Sequence, residues 1–189
     1  TLDNDPYRVV SEGKLFWIQD AYTTTNQYPY SEPYRDEFNY IRNSIKAVIS
    51  AYDGTIDFYI FDKDDAIIQT YDKVFPNMFK PQEEMPKGLL DHIRYPQDFF
   101  SIQAERYQTY HMRDTTDFYN MEDPWSIPSE LFFDQKQQME PYYVIMKLPG
   151  EEKEEFVLLM PFTPLDKPNL VAWVAARSDN DKGQYGSLV

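Results

Sequence analysis

Few kinds of side chain in this sequence are suited to chemistry. There are two histidines, no cysteine and 32 carboxylates. Without cysteine there are no thiolate metal sites, thiol nucleophiles or disulfides. His92 and His111 lie 19 residues apart on two expected helices, which is not a metal-binding spacing, and each reads as a helix-end or packing residue. No glycine-rich phosphate loop and no G-x-S-x-G elbow occurs. Carboxylate pairs such as Glu83-Glu84 are too common in so acidic a chain to mark a general acid and base. The cluster Asp62, Asp64 and Asp65 fails as an EF-hand loop, because Ala66 and Ile67 stand where a ligand and a glycine belong. Asp64 or Asp65 is instead expected to cap a helix. No cofactor and no metal is therefore expected, and calcium should not be needed for folding.

The remaining candidates are tyrosines. Between Asp20 and Phe38 the sequence is rich in Tyr, Thr, Asn, Ser and Pro and has no period. It reads as a long loop. Tyr22, Tyr28, Tyr30 and Tyr34 within it either pack back on a sheet or form a stacking surface for a glycan or a partner.

The elements that would position these residues are clearer. Glu12-Gly13 joins two strands near 6–10 and 15–20. Asp53-Gly54 suits a two-residue type I′ turn, pairing Ile49 with Phe58 and Ala47 with Ile60. One face of that hairpin is then wholly apolar (Ala47, Ile49, Ala51, Ile56, Phe58 and Ile60) and is expected to be the core face. Lys46, Ser50, Thr55 and Asp57 lie on the other. Helices are expected near 65–75, 87–93 and 97–112, the last two started by Pro86 and Pro96. Residues 113–141 read as an irregular connector. Strands near 142–148, 156–162 and 170–177, each apolar on both faces, form a C-terminal meander expected to be buried between layers. The fold class is α+β: antiparallel sheets built from hairpins and a meander, with a helical insertion near 65–112. One domain over 1–189 accommodates these elements.

Net charge is −14 at pH 7. Such a surface repels phosphate backbones and anionic lipid heads, so nucleic acid is not an expected partner. No run approaches the about 18 apolar residues of a membrane span. The start at Thr1 and the apolar end at Leu188-Val189 suggest a fragment of something longer.

Several motifs now in view carry a resemblance. They include Asp20-Ala21-Tyr22-Thr23-Thr24, Tyr28-Pro29-Tyr30-Ser31, Asn39-Tyr40-Ile41-Arg42-Asn43-Ser44, Phe79-Lys80-Pro81 and His92-Ile93-Arg94-Tyr95-Pro96. Asp123-Pro124-Trp125, Pro161-Phe162-Thr163-Pro164 and Lys167-Pro168-Asn169-Leu170 follow in the same order. Together they make the chain resemble uncharacterised protein family 0182, large multi-pass membrane proteins of bacteria and cyanobacteria. The resemblance implies several N-terminal membrane spans in the parent protein and a large extracytoplasmic region, of which this chain is a part. It supplies no catalytic residues. The function expected on this basis is a non-catalytic extracytoplasmic module. Its partners would be the membrane-spanning part of the same polypeptide and a protein or envelope component. The alternative is a cell-envelope enzyme acting on a glycan through paired carboxylates about 5–10 Å apart.

Overall fold

The computed structural model describes residues 1–165, 167–179 and 183–189. The α+β class holds, with mainly antiparallel sheets. The chain separates into two compact units, Thr1–Pro96 and Gln97–Val189.

In the first unit, Glu12 and Gly13 both take positive φ and close a tight turn between β1 (Tyr7–Ser11) and β2 (Lys14–Thr25). β2 pairs with β3 (Tyr40–Ser50), β3 with β4 (Ile56–Ile60), and a short β5 (Phe79–Pro81) adds in parallel at the edge of β4. The expected loop therefore begins six residues later than the sequence suggested, because Asp20–Thr25 continues β2. The β-branched run Thr23-Thr24-Thr25 favours the extended state. A bulge between Ala21 and Thr23 lets Tyr22 and Thr23 both be buried.

The central hairpin corrects two expectations. Ile49 pairs with Ile56 and Ala47 with Phe58, two residues out from the expected register. Only Gly54 of the Asp53-Gly54 pair has positive φ, so the connection is a four-residue loop closed by Gly54 N–H donating to the Ser50 carbonyl. A slip of two keeps each side chain on its face. The burial of the faces, however, departs from the expected one, with only Ala47 of the six apolar residues buried. Ser44, Lys46, Val48 and Tyr59 are buried together with Tyr7, Val9, Ile18 and Asp20, whereas Ala51 and Ile56 are exposed.

Helix α1 (Ala66–Val74) follows Asp65 as N-cap, and α2 (Lys87–Leu90) follows Pro86. Ile68, Met85, Leu89, Ile93 and Tyr95 complete the buried set. Helix α2 packs on β1, and a Cβ added to Gly88 would lie 2.3 Å from the Ser11 hydroxyl oxygen, so that approach requires glycine.

In the second unit, α3 (Gln97–Tyr110) lays Phe100 and Ala104 against β10 (Glu154–Pro164). Strand β10 is flanked by β9 (Tyr142–Lys147) and β11 (Ala172–Arg177). Leu148, Val157, Leu159 and Ala175 form a core cluster there. The expected burial holds for β10 and β11 but not for β9, an edge strand whose Ile145 is exposed. Residues 113–141 are not structureless either. They contain α4 (Thr115–Asn120), β6 (Trp125–Ser126) and a hairpin of β7 (Ser129–Phe132) with β8 (Gln135–Gln138). The tip, Phe133-Asp134, has positive φ at both residues, the turn geometry that the sequence pointed to at Asp53-Gly54.

Candidate functional site

Three buried aspartates organise the first unit. Asp65 sits at the start of α1, where a carboxylate suits the positive helix end. Its two oxygens accept from the Thr23 hydroxyl at 2.6 Å, the Ser44 hydroxyl at 2.6 Å and the Tyr40 hydroxyl at 2.7 Å. They also accept from the amides of Ile67 at 3.1 Å and Ile68 at 3.3 Å. Burial pushes this carboxyl's pKa up. The hydrogen bonds from Ser44, Thr23, Tyr40 and the Ile67 amide outweigh burial, and the net direction is down. Burial, with the same carboxylate beside it, pushes the Tyr40 hydroxyl up.

Asp20 and Lys46 are cross-strand partners on β2 and β3 and form a buried ion pair. Asn43 bridges them: its amide donates to Asp20 at 3.0 Å and its oxygen accepts from Lys46 at 3.2 Å. The Lys46 ammonium also lies 5.1 Å from the Phe61 ring centroid. Asp3 accepts from the Tyr22 hydroxyl and from the Asp5 amide. Asp5 meets Arg94 at 2.7 Å. Burial raises the Asp5 pKa, Arg94 opposes the shift, and Asp3 adds to it. These groups resemble the parts of an acid–base site. Yet Asp65, Asp20 and Asp3 are each engaged by donors of the chain itself, which is the arrangement of a structural network.

The four tyrosines separate. Tyr22 is buried with its hydroxyl on Asp3. Tyr34 is half-buried, with its ring centroid 5.5 Å from that of Phe38 and the Arg35 guanidinium 5.0 Å from its own. Tyr28 is exposed and stacks on Tyr40 at 5.3 Å. Tyr30 is fully exposed at 109% and has φ of 59°, a conformation strained for a bulky side chain. Only Tyr28 and Tyr30 can present ring area to a partner. Asn39 holds their loop by accepting from the Tyr28 amide and donating to the Tyr28 and Ser31 carbonyls.

The histidines each bond a backbone carbonyl four residues earlier. His92 closes α2 through the Gly88 carbonyl, and His111 contacts the Tyr107 carbonyl at the end of α3. His111 also stacks on Trp125, with centroids 3.6 Å apart and planes within 8°. Its Nε2 is buried with no hydrogen-bond partner among the described residues. Among the same residues no three His, Asp or Glu side chains are grouped to hold a metal ion.

Two apolar surfaces remain open. The outer face of the first sheet carries Val10 (63% exposed), Trp17 (37%) and Ile56 (51%), with half-buried Leu15, Ile49 and Phe58 between them. In the second unit, Leu131, Phe132 and Phe133 are exposed at the β7–β8 tip, Phe133 at 88% and with φ of 47°. Neither surface was legible as open in the sequence. Hydrophobic alternation identified the first face but assigned it to the core, and phenylalanine at a left-handed turn position gives no sequence signal.

The fold is thus α+β in two units, with internal acids engaged by the chain itself and an apolar sheet face partly open. The chain belongs to the uncharacterised protein family UPF0182, whose model matches residues 1–189. A UPF0182 protein of Pelotomaculum thermopropionicum is 55% identical over 187 residues, covering 99% of this chain and 20% of that protein. Those of Methanospirillum hungatei and Microcystis aeruginosa are 54% and 56% identical, with 100% and 99% of this chain covered and 22% and 20% of each relative. The chain thus spans about a fifth of the length of these relatives. No solved structure matches it.

Proposed function

We propose that this chain is a non-catalytic extracytoplasmic module of a multi-pass membrane protein, and that it docks through the open face of its first sheet. The carrying observation is that face: Val10, Trp17 and Ile56 remain exposed where the alternation of the strands calls for a covered surface. Its occupant is another segment of the same long polypeptide, since about four-fifths of the relatives' length lies outside this chain. Engagement of Asp3, Asp20 and Asp65 by donors of the chain itself supports the non-catalytic reading. Tyr28 and Tyr30 offer a second, smaller contact to a protein or envelope component.

The chain has no cysteine, so an introduced one is a unique probe. Ile56→Cys is exposed and should react readily with a maleimide in the isolated chain. In a cysteine-free full-length parent it should be protected at least about tenfold, as expected for a docked residue. Equal labelling rates in the two contexts would refute docking. Asp134→Cys labelled by a membrane-impermeant maleimide on intact cells tests the location separately. Labelling only after lysis would refute an extracytoplasmic position.

A further inference from the structure

The sheet of the second unit closes one of its edges and leaves the other open. On the closed side the chain lays its own residues along β11. The Ala175 and Val189 amides each donate to the other's carbonyl, at 3.0 and 2.9 Å, and the Arg177 amide donates to the Ser187 carbonyl at 3.1 Å. On the open side stands β9, which among the described residues pairs with β10 alone. Natural sheets guard such an edge with proline, a bulge, charges or a very short strand. Strand β9 is six residues long, contains no proline and runs without a register shift from Tyr142 opposite Leu159 to Lys147 opposite Glu154. Its one charge is Lys147, at the end, and Ile145 near its centre is 69% exposed.

The ladder fixes which backbone groups of β9 are spare. The Phe156 carbonyl accepts from the Ser178 amide at 2.9 Å, and the Phe156 amide donates to the Asp179 carboxylate at 2.8 Å, so the even-numbered residues of β10 face β11. Its odd-numbered residues face β9, where Glu155 stands opposite Met146, Val157 opposite Val144 and Leu159 opposite Tyr142. The N–H and C=O groups of Tyr143, Ile145 and Lys147 therefore point away from the sheet. Among the described residues no backbone partner of Ile145 or Lys147 is present. The chain leaves the described residues at Leu165, beside Pro124 past the end of β10, and at Asp179, across β10 from β9.

We infer that the outer edge of β9 receives an extended strand from another segment of the same long polypeptide, held by backbone hydrogen bonds to Ile145 and Lys147 and by an apolar side chain against Ile145. The inference rests on the docking proposal only in taking its occupant from the parent protein. A second copy of this chain fits less well. Six residues of strand are about 20 Å long, so two β9 edges meeting fall well short of the about 800 Å² per partner of a stable interface. Two chains of net charge −14 also repel each other. A segment of the same polypeptide escapes the first limit, because its tether supplies a high effective concentration. About four-fifths of the relatives' length lies outside this chain and can provide it.

Hydrogen exchange across Tyr142–Lys147, measured in the isolated chain and in the full-length parent, tests this. The Ile145 and Lys147 amides should exchange freely in the isolated chain and at least about tenfold more slowly in the parent. Ile145→Pro removes an outward N–H, the one kind of strand position that tolerates proline. It should leave the β10 and β11 amide shifts of the isolated chain unchanged and abolish the extra protection of Lys147 in the parent. Val144→Pro removes an inward N–H and should break the pairing with β10 in both. Ile145→Lys keeps the N–H, adds the charge that guards natural edges, and should weaken the protection in the parent as well. Equal exchange in the two contexts overturns the inference, as does protection that survives both Ile145 variants. If the isolated chain sediments as a dimer that Ile145→Pro dissolves, the occupant is a second copy and the inference fails. Protection of Ile56→Cys against maleimide without protection of the β9 amides would sink strand addition and leave the docking of the first sheet standing; the opposite pattern would do the reverse.

Discussion

Removing the Asp65 carboxylate should be among the most costly single changes in the first unit. Five donors converge on it, so Asp65→Ala orphans two helix amides and three hydroxyls at once. Loss of an N-cap costs about 1 kcal/mol. Hydrogen bonds to a charged group are worth about 1.5–3 kcal/mol each, but their deletions do not add. The Thr23 and Ser44 hydroxyls are 3.2 Å apart and can re-pair, and half-buried Tyr40 can find water, which lowers the total. A net loss of about 3–4 kcal/mol follows, and about 2 kcal/mol for Asp65→Asn, whose amide opposes donors on one side. The folded carboxyl titrates below its unfolded value of about 3.9. Its contribution is therefore complete above that value and disappears as pH falls through the folded one. The gap between wild type and Asp65→Asn should accordingly be full at neutral pH and close below about pH 4. Urea-dependent hydrogen exchange of β2 and β3 amides measures this for the first unit alone. A loss below about 1 kcal/mol at pH 7, or a gap that does not narrow as pH falls below about 4, would refute the reasoning.

Two further expectations concern the same unit. Lys46→Met should cost about 3–5 kcal/mol because it leaves Asp20 buried without its cation, and adding Asp20→Leu should restore most of the loss; a mild single variant in denaturation would contradict the buried pair. Gly88→Ala should destabilise by about 1–3 kcal/mol despite alanine's better helix propensity, since its Cβ would meet the Ser11 hydroxyl oxygen. Ser11→Ala in the same chain should relieve it, and a neutral melting shift for Gly88→Ala alone would show that α2 yields.

Local chemistry made much of this fold legible. Glu12-Gly13 marks its hairpin, Asp65 its helix start, and Pro86 and Pro96 theirs, because each acts on neighbours within a few residues. What escaped depends on distant partners. Lys46 read as part of an outer polar face and Ser44 had no assigned place, and nothing near them in sequence says otherwise. Their partners are Asp65, 21 residues on, and Asp20, 26 residues back, and only the folded sheet brings these together. Asp20–Thr25 read as loop because the tyrosines and Pro29 beyond it suggested one. Its strand character comes from pairing with Tyr40–Lys46 across that loop.

The departure of the sheet's faces from the expected burial has a physical logic. Buried polar groups tolerate only the geometry that satisfies them, so Asp20–Lys46 and the Asp65 cluster penalise any slip of β2, β3 or α1. A one-residue slip of β2 against β3 would place Lys46 in the core without its carboxylate, at a cost of several kcal/mol. With register held from the polar side, the apolar face is released from organising the unit and can remain open. In a free-standing domain such a face is an aggregation liability. On the docking proposal, the chain matching about a fifth of its relatives' length, the face is reserved for another segment of the longer polypeptide. Replacing Ile56 and Val10 by lysine should then leave the stability of the isolated chain within about 0.5 kcal/mol, because both side chains are already exposed. The same pair of changes in the full-length protein should disrupt docking, since two charges would be buried without partners. That contrast between fragment and parent is the signature of an interface, and a core face would fail in both.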